Sequence, residues 1–136
     1  MSENLPSSPT LVSNNAAKED ESKIAAMLAA EAADDRKGGD ILLLDVAEVS
    51  YLADYFVIVT GFSKAQVRAI AQSIQEKLET QLQRVPRQIE GQAEGTWVLL
   101  DYGDLIVHIL MSQEREFYNL EAFWGHAETI KYPLAS

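Results

Sequence analysis

Ile41-Leu42-Leu43-Leu44 is the segment that leaves this chain least freedom, because it is apolar at four consecutive positions. Successive side chains of a strand point to opposite faces, so a strand made of this run has to be buried on both sides. Tyr55-Phe56-Val57-Ile58-Val59-Thr60 and Leu105-Ile106-Val107-His108-Ile109-Leu110 add two more strands rich in aromatic and β-branched residues. A largely buried sheet needs helices to cover it, and 136 residues support one domain of ordinary size with a modest tail.

The helices are legible between the strands. Ile24, Ala25, Leu28, Ala29 and Ala32 fall at helical spacing, so a helix is expected from near Glu21 until Gly38-Gly39 stops it. Asp40 to Val49 then forms a strand, and Ser50 to Asp54 a short connection. After the turn Gly61-Phe62-Ser63, Ser63 and Gln66 make a capping box that starts a second helix. Val67, Ile70, Ala71, Ile74 and Leu78 trace its buried stripe, and Pro86 closes the segment. Arg87 to Glu90 is a short strand, and Gly91 to Gly95 a loop. Thr96–Leu100 and Leu105–Leu110 pair as an antiparallel hairpin across Asp101-Tyr102-Gly103-Asp104. Ser112 caps a last helix that carries Phe117, Leu120 and Trp124 on one face. The predicted class is α/β, a mixed sheet of about five strands flanked by helices. Residues 1–19, rich in Ser, Asn and Pro, are expected to be a disordered leader before a domain over 20–131.

Composition excludes several function classes. Without cysteine there are no disulfides, thiolate metal sites or thiol nucleophiles. No apolar run approaches the roughly 18 residues of a membrane span, and residues 1–20 lack the basic and apolar regions of a signal peptide. A soluble cytoplasmic protein is the simplest expectation. The net charge is −10, and the acids concentrate late in the chain. From Gln88 onward two bases (Arg115, Lys131) stand against eight acids, a net of −6. Such a surface repels phosphate backbones, so direct nucleic-acid binding is not expected. It would steer a basic protein, although excess acid also serves solubility alone.

Four segments, in order, resemble the ribosomal silencing factor family (RsfS, also called Iojap). They are Ala53-Asp54-Tyr55-Phe56-Val57-Ile58 through Thr60-Gly61 to Ser63; Ile89-Glu90-Gly91 with Gly95 and Trp97; Val98-Leu99-Leu100-Asp101-Tyr102-Gly103-Asp104 with Val107-His108; and Glu114-Arg115-Glu116-Phe117-Tyr118-Asn119-Leu120-Glu121, then Trp124. The match extends over roughly residues 24–130. Its one internal departure is Asn119, where the family usually has Asp. The resemblance implies a nucleotidyltransferase-like fold. It also implies a translation repressor that docks on the large ribosomal subunit, through that subunit's basic protein number fourteen. Occupying that site blocks joining of the small subunit when nutrients are scarce.

Candidate residues follow from both lines of argument. Asp101, Tyr102, Gly103 and Asp104 form either an acidic tip presented to a basic partner or ordinary turn chemistry; a turn does not need the tyrosine. Trp97, Tyr118, Glu121 and Trp124 are the remaining expected contacts, with core packing the competing role for the indoles. Phe117 and Leu120 are expected to hold the last helix to the sheet. Three further roles are structural: His108 hydrogen-bonded mid-strand, Asp54 bonding a neighbouring turn, and Arg115 pairing within its helix or with Asp101 or Asp104. No catalytic group, metal site or cofactor is expected. A nucleotidyltransferase would need carboxylates paired along a strand to hold divalent ions, and none follows the Thr60-Gly61-Phe62-Ser63 turn. Exposed apolar residues on the helices would suit a homodimer.

Overall fold

In the computed structural model the backbone is described over residues 7–133 and side chains over 21–133. Helix α1 (Ser7–Asp35) leads to β1 (Gly39–Asp45), then to β2 (Tyr55–Gly61) and α2 (Lys64–Leu82). Strands β3 (Gln88–Glu90), β4 (Trp97–Asp101) and β5 (Leu105–Met111) follow. Two short helices, α3 (Ser112–Tyr118) and α4 (Leu120–Phe123), precede β6 (Glu128–Tyr132). The strands form one sheet in the order β3-β4-β5-β2-β1-β6, with β2 and β5 parallel and the other neighbours antiparallel. The architecture is the expected mixed α/β, with six strands among the described residues rather than five.

The sixth strand escaped sequence reasoning because it is a mostly exposed edge. Glu128–Tyr132 pairs only with β1 and buries no residue fully, so it shows no continuous apolar run. Lys131 on that edge is the kind of charge that discourages pairing with further chains.

One face of the sheet is sealed by α1 and α2. Val57, Val59, Val98, Leu100, Leu105, Val107 and Ile109 point into this layer. The predicted stripe of α2 meets them without exception: Val67, Ile70, Ala71, Ile74 and Leu78 are all fully buried. Burying such large side chains contributes roughly 2 kcal/mol each against exposure. Ser63 caps α2 by accepting the Gln66 backbone N–H at 3.0 Å. The Gln66 side chain accepts the Phe62 N–H at 2.7 Å and donates to the carbonyls of Arg36 and Lys37, so one residue ties the end of α1 to the start of α2.

Helix α1 packs through alanines. Ala25, Ala26, Ala29, Ala30, Ala32 and Ala33 are all buried, while Ile24, expected on the inner stripe, is half exposed. Small side chains let the helix lie close to α2 and the sheet. The helix begins at Ser7 rather than near Glu21. Ala16-Ala17-Lys18-Glu19 are strong helix formers, and a nucleated helix extends through them at little cost. Thus residues 7–19 of the expected leader lie in α1, and residues 1–6 lie outside the described residues.

The second face is only partly covered. Leu44, Phe56, Ile58 and Leu110 form a smaller core there, with Trp97, Ile106, Leu120 and Trp124 packed against it. Helix α3 lies over β5 and β2, and a cleft stays open at the β3–β4 end.

Candidate functional site

The β4–β5 connection folds inward. Asp101 Oδ1 accepts the Gly103 N–H at 2.8 Å, closing the turn, and Gly103 sits at φ +92°, where a side chain would be strained. Tyr102 follows the alternation of Val98 and Leu100 into the helix-covered core and is only 7% exposed. Its ring lies 5.7 Å from the Arg84 guanidinium carbon, and burial pushes its phenol pKa up to about 12. The expectation that Tyr102 faces a partner is therefore overturned: strand alternation sends it to the core. Its two acidic neighbours are engaged as well. Asp104 bonds Arg84 and accepts the Ser22 hydroxyl at 2.6 Å, while Asp101 pairs with Arg87 Nε at 3.2 Å. Burial opposes ionisation of Asp104, yet the bonds from Arg84 and Ser22 hold its carboxyl below the usual range.

Ser22 also donates to Asp54 at 3.2 Å, so α1 is stitched to the turn before β2 and to the hairpin tip at once. The Asp54 backbone N–H donates to the Asp104 carbonyl at 2.8 Å. These carboxylates act as internal ties, and among the described residues no group of three or more His, Asp or Glu side chains is placed to hold a metal ion.

The last helix is broken, contrary to the expected single face of Phe117, Leu120 and Trp124. Asn119 adopts the left-handed conformation at φ +45°, ending α3 and opening α4. Asparagine tolerates that region better than most residues, so Asn119 was the readable signal for the break. Nor does Ser112 cap α3: the cap position is Met111, which makes no side-chain bond. Beyond the break, Leu120 and Trp124 turn under to the second core, where Trp124 meets Phe56 edge-to-face at 5.2 Å. Trp124 is thus placed as a packing residue. Phe117, expected to anchor the helix, is 79% exposed.

The break separates Tyr118 from Glu121 as well. Glu121 Oε2 accepts Arg115 Nε at 3.1 Å, and Arg115 Nη1 donates to Thr60 Oγ1 at 2.9 Å. Arg115 pairs neither with Glu114 and Glu116 nor with Asp101 and Asp104, because its reach is toward the end of β2. Tyr118 instead stands over β4, its ring 4.8 Å from that of Trp97 and 5.0 Å from that of Phe117. Trp97 Nε1 donates to His108 Nδ1 at 3.1 Å, and the two lie on neighbouring strands.

Trp97, Leu99 and Tyr118 wall an open cleft of about 420 Å³ whose other side chains include Glu90, Glu94 and Glu114. Register builds it. Glu90 pairs with Leu99 across β3–β4, which puts both on the open face. Glu94 comes from the loop 91–95, held to α2 by Arg68, which donates to the Gln92 and Ala93 carbonyls at 3.0 and 2.7 Å. Gly91 at φ +82° lets that loop turn; a Cβ there would collide with the Trp97 carbonyl. None of the three glutamates pairs with a cation among the described residues. They were visible as part of the acid excess, but only the fold, which brings β3, the 91–95 loop and α3 together, shows that they share a site with Trp97.

A family model described as "Ribosomal silencing factor during starvation" matches residues 19–135. The chain belongs to the ribosomal silencing factor family. Ribosomal silencing factor RsfS of Bacillus subtilis is 45% identical over 100 residues, covering 74% of this chain and 84% of that protein. Chloroplastic protein Iojap of Zea mays is 41% identical over 106 residues, covering 77% of this chain and 45% of the maize protein. A crystal structure of a Chromobacterium violaceum protein has 39% identity and a TM-score of 0.73, covering 76% of this chain and 85% of that one. The ribosomal silencing factor fold therefore accounts for the mixed sheet and its flanking helices.

Proposed function

We propose that this silencing factor works in the cytoplasm as a steric plug. It docks on the large ribosomal subunit through the basic protein number fourteen and keeps the small subunit from joining, which represses translation under nutrient limitation. The observation that carries this is the cleft at the open end of the sheet, where half-buried and exposed aromatic rings adjoin three glutamates without cationic partners. Aromatic side chains supply most of the energy of protein interfaces, and unpaired acids on the rim speed encounter with a basic partner. Occlusion needs no bond to be made or broken, so a docking face is sufficient machinery.

The contact set centres on Trp97, Tyr118 and Phe117, with Glu90, Glu94 and Glu114 in place of the internally paired tip acids. Cosedimentation with purified large subunits tests it. The unaltered chain should pellet with them, more weakly as salt rises, and Glu94→Lys with Glu114→Lys should abolish pelleting without altering unfolding. An unaltered chain that stays in the supernatant at low salt would refute the proposal.

A further inference from the structure

Seven rings form an unbroken chain across the second face of the sheet. From Phe117 it passes to Tyr118 (5.0 Å), Trp97 (4.8 Å), His108 (5.9 Å), Phe56 (5.6 Å), Trp124 (5.2 Å) and Phe123 (5.2 Å). Both ends are exposed, and His108, near the middle, is 8% exposed. His108 is the one member that accepts a hydrogen bond from another: Trp97 Nε1–H donates to its Nδ1 at 3.1 Å. An accepting Nδ1 places the proton of the neutral ring on Nε2. We infer that His108 is a positioning residue of the docking face, its Nδ1 fixing the plane of the Trp97 indole against which Tyr118 stands.

Three features support this. The Trp97 side chain is only half buried and is the first residue of β4, so contact with the core leaves its ring more freedom than full burial would. A directional N–H···N bond removes that freedom before any partner arrives, which is how a pre-ordered contact strengthens binding. Burial also keeps the imidazole in its accepting form, because its pKa is pushed down to about 4. A protonated ring would offer two donors and no acceptor, and Trp97 would be released. Phe56, packed edge-to-face at 5.6 Å, holds the imidazole from the other side.

The inference rests on the docking reading for its purpose but has a test of its own. Two amides distinguish positioning from mere bulk. Asparagine presents an acceptor close to where Nδ1 sits, whereas glutamine carries it one bond further out. In the full chain, the Trp97 indole N–H of the unaltered protein and of His108→Asn should be protected from solvent exchange and share a resonance position. His108→Gln and His108→Leu should lose that protection and shift the signal. Large-subunit affinity should follow the same order, falling about five- to tenfold in the Gln and Leu variants and holding in Asn. In a Trp97→Phe background, where no donor remains, changing His108 to Leu should cost no further affinity. Equal indole protection in all four proteins would overturn the inference, as would equal affinity losses for Asn and Gln. Failure of the unaltered chain to bind large subunits would overturn the docking reading alone, because the exchange measurement still decides what holds Trp97. If His108→Leu does not fold, the comparison of Asn with Gln carries the decision.

Discussion

Arg115 is the residue whose removal tests most of this structure at once. Its side chain is 10% exposed, and its guanidinium bridges Glu121, just past the Asn119 break, to Thr60 at the end of β2. Glu121 Oε1 is buried with no partner among the described residues, so the arginine is what makes this carboxylate tolerable. Arg115→Met keeps the aliphatic stem and deletes the fork. It leaves a carboxylate that is 31% exposed without its cation, and strips the buried Thr60 hydroxyl of its donor. Charge-assisted hydrogen bonds contribute about 1.5–3 kcal/mol, and losing one partner of a fully buried pair costs about 3–5 kcal/mol. Because solvent still reaches a third of Glu121, the lower range applies, and the expected loss is about 2 kcal/mol. In a domain of this size that lowers Tm by roughly 6–8 °C.

The assay is equilibrium urea unfolding, where the midpoint should fall with the slope unchanged. Pairing the change with Glu121→Leu sharpens it. Once the stranded charge is gone, the double variant should regain at least half of the lost stability, since an ion pair replaced by apolar groups is often neutral. An Arg115→Met loss below about 0.5 kcal/mol would refute the argument, because surface pairs of no consequence behave that way. So would strict additivity of the two changes, which would mean that Arg115 and Glu121 do not depend on each other.

Two further outcomes follow from buried titratable groups. His108 has a folded-state pKa of about 4 against roughly 6.5 when unfolded, so between those values the unfolded chain binds the extra proton. The associated stability is fully present above pH 6.5 and lost as pH falls toward 4, amounting to about 3 kcal/mol. Unfolding curves across that window should be steeper in pH for the unaltered chain than for His108→Asn; parallel profiles would contradict the assignment. Tyr102→Phe removes a buried hydroxyl that has no partner among the described residues, and should raise stability by about 1 kcal/mol while large-subunit affinity stays unchanged. A loss of affinity would return Tyr102 to the contact surface.

What the sequence made legible was whatever a single periodicity decides. The stripe Val67–Leu78, the Ser63 cap and the burial of Leu43 and Leu44 on opposite faces of β1 each follow from local spacing and came out as expected. Two kinds of information were missing. Register decides which face a residue occupies, and with the strand expected to end at Leu100, the alternation Val98, Leu100, Tyr102 that buries the ring was not carried into the turn. Backbone conformation at one residue was the other. Extending a helical pattern through Asn119 put Phe117 in the core and Glu121 beside Tyr118, and a single left-handed residue reversed both placements. The edge strand β6 was missed because exposure removes the apolar signal on which strand recognition depends.

The misplacements around Asn119 concern the open face, and there is a physical reason for that. The helix-covered face of the sheet is shaped by burial, and burial writes a strong pattern into sequence. On the proposed function the open face presents rings and acids to something outside the molecule, so its pattern would answer to a partner that the chain does not contain. The seven-ring chain marks the boundary between these regimes. At Phe56 and His108 it is core, at Phe117 and Tyr118 it is surface, and Trp97 stands half in each. A residue in that position needs more than hydrophobic contact to keep one orientation in the absence of its partner. The bond to His108 supplies that constraint within the sheet itself, so the proposed docking face would not depend on the partner to put its central ring in order.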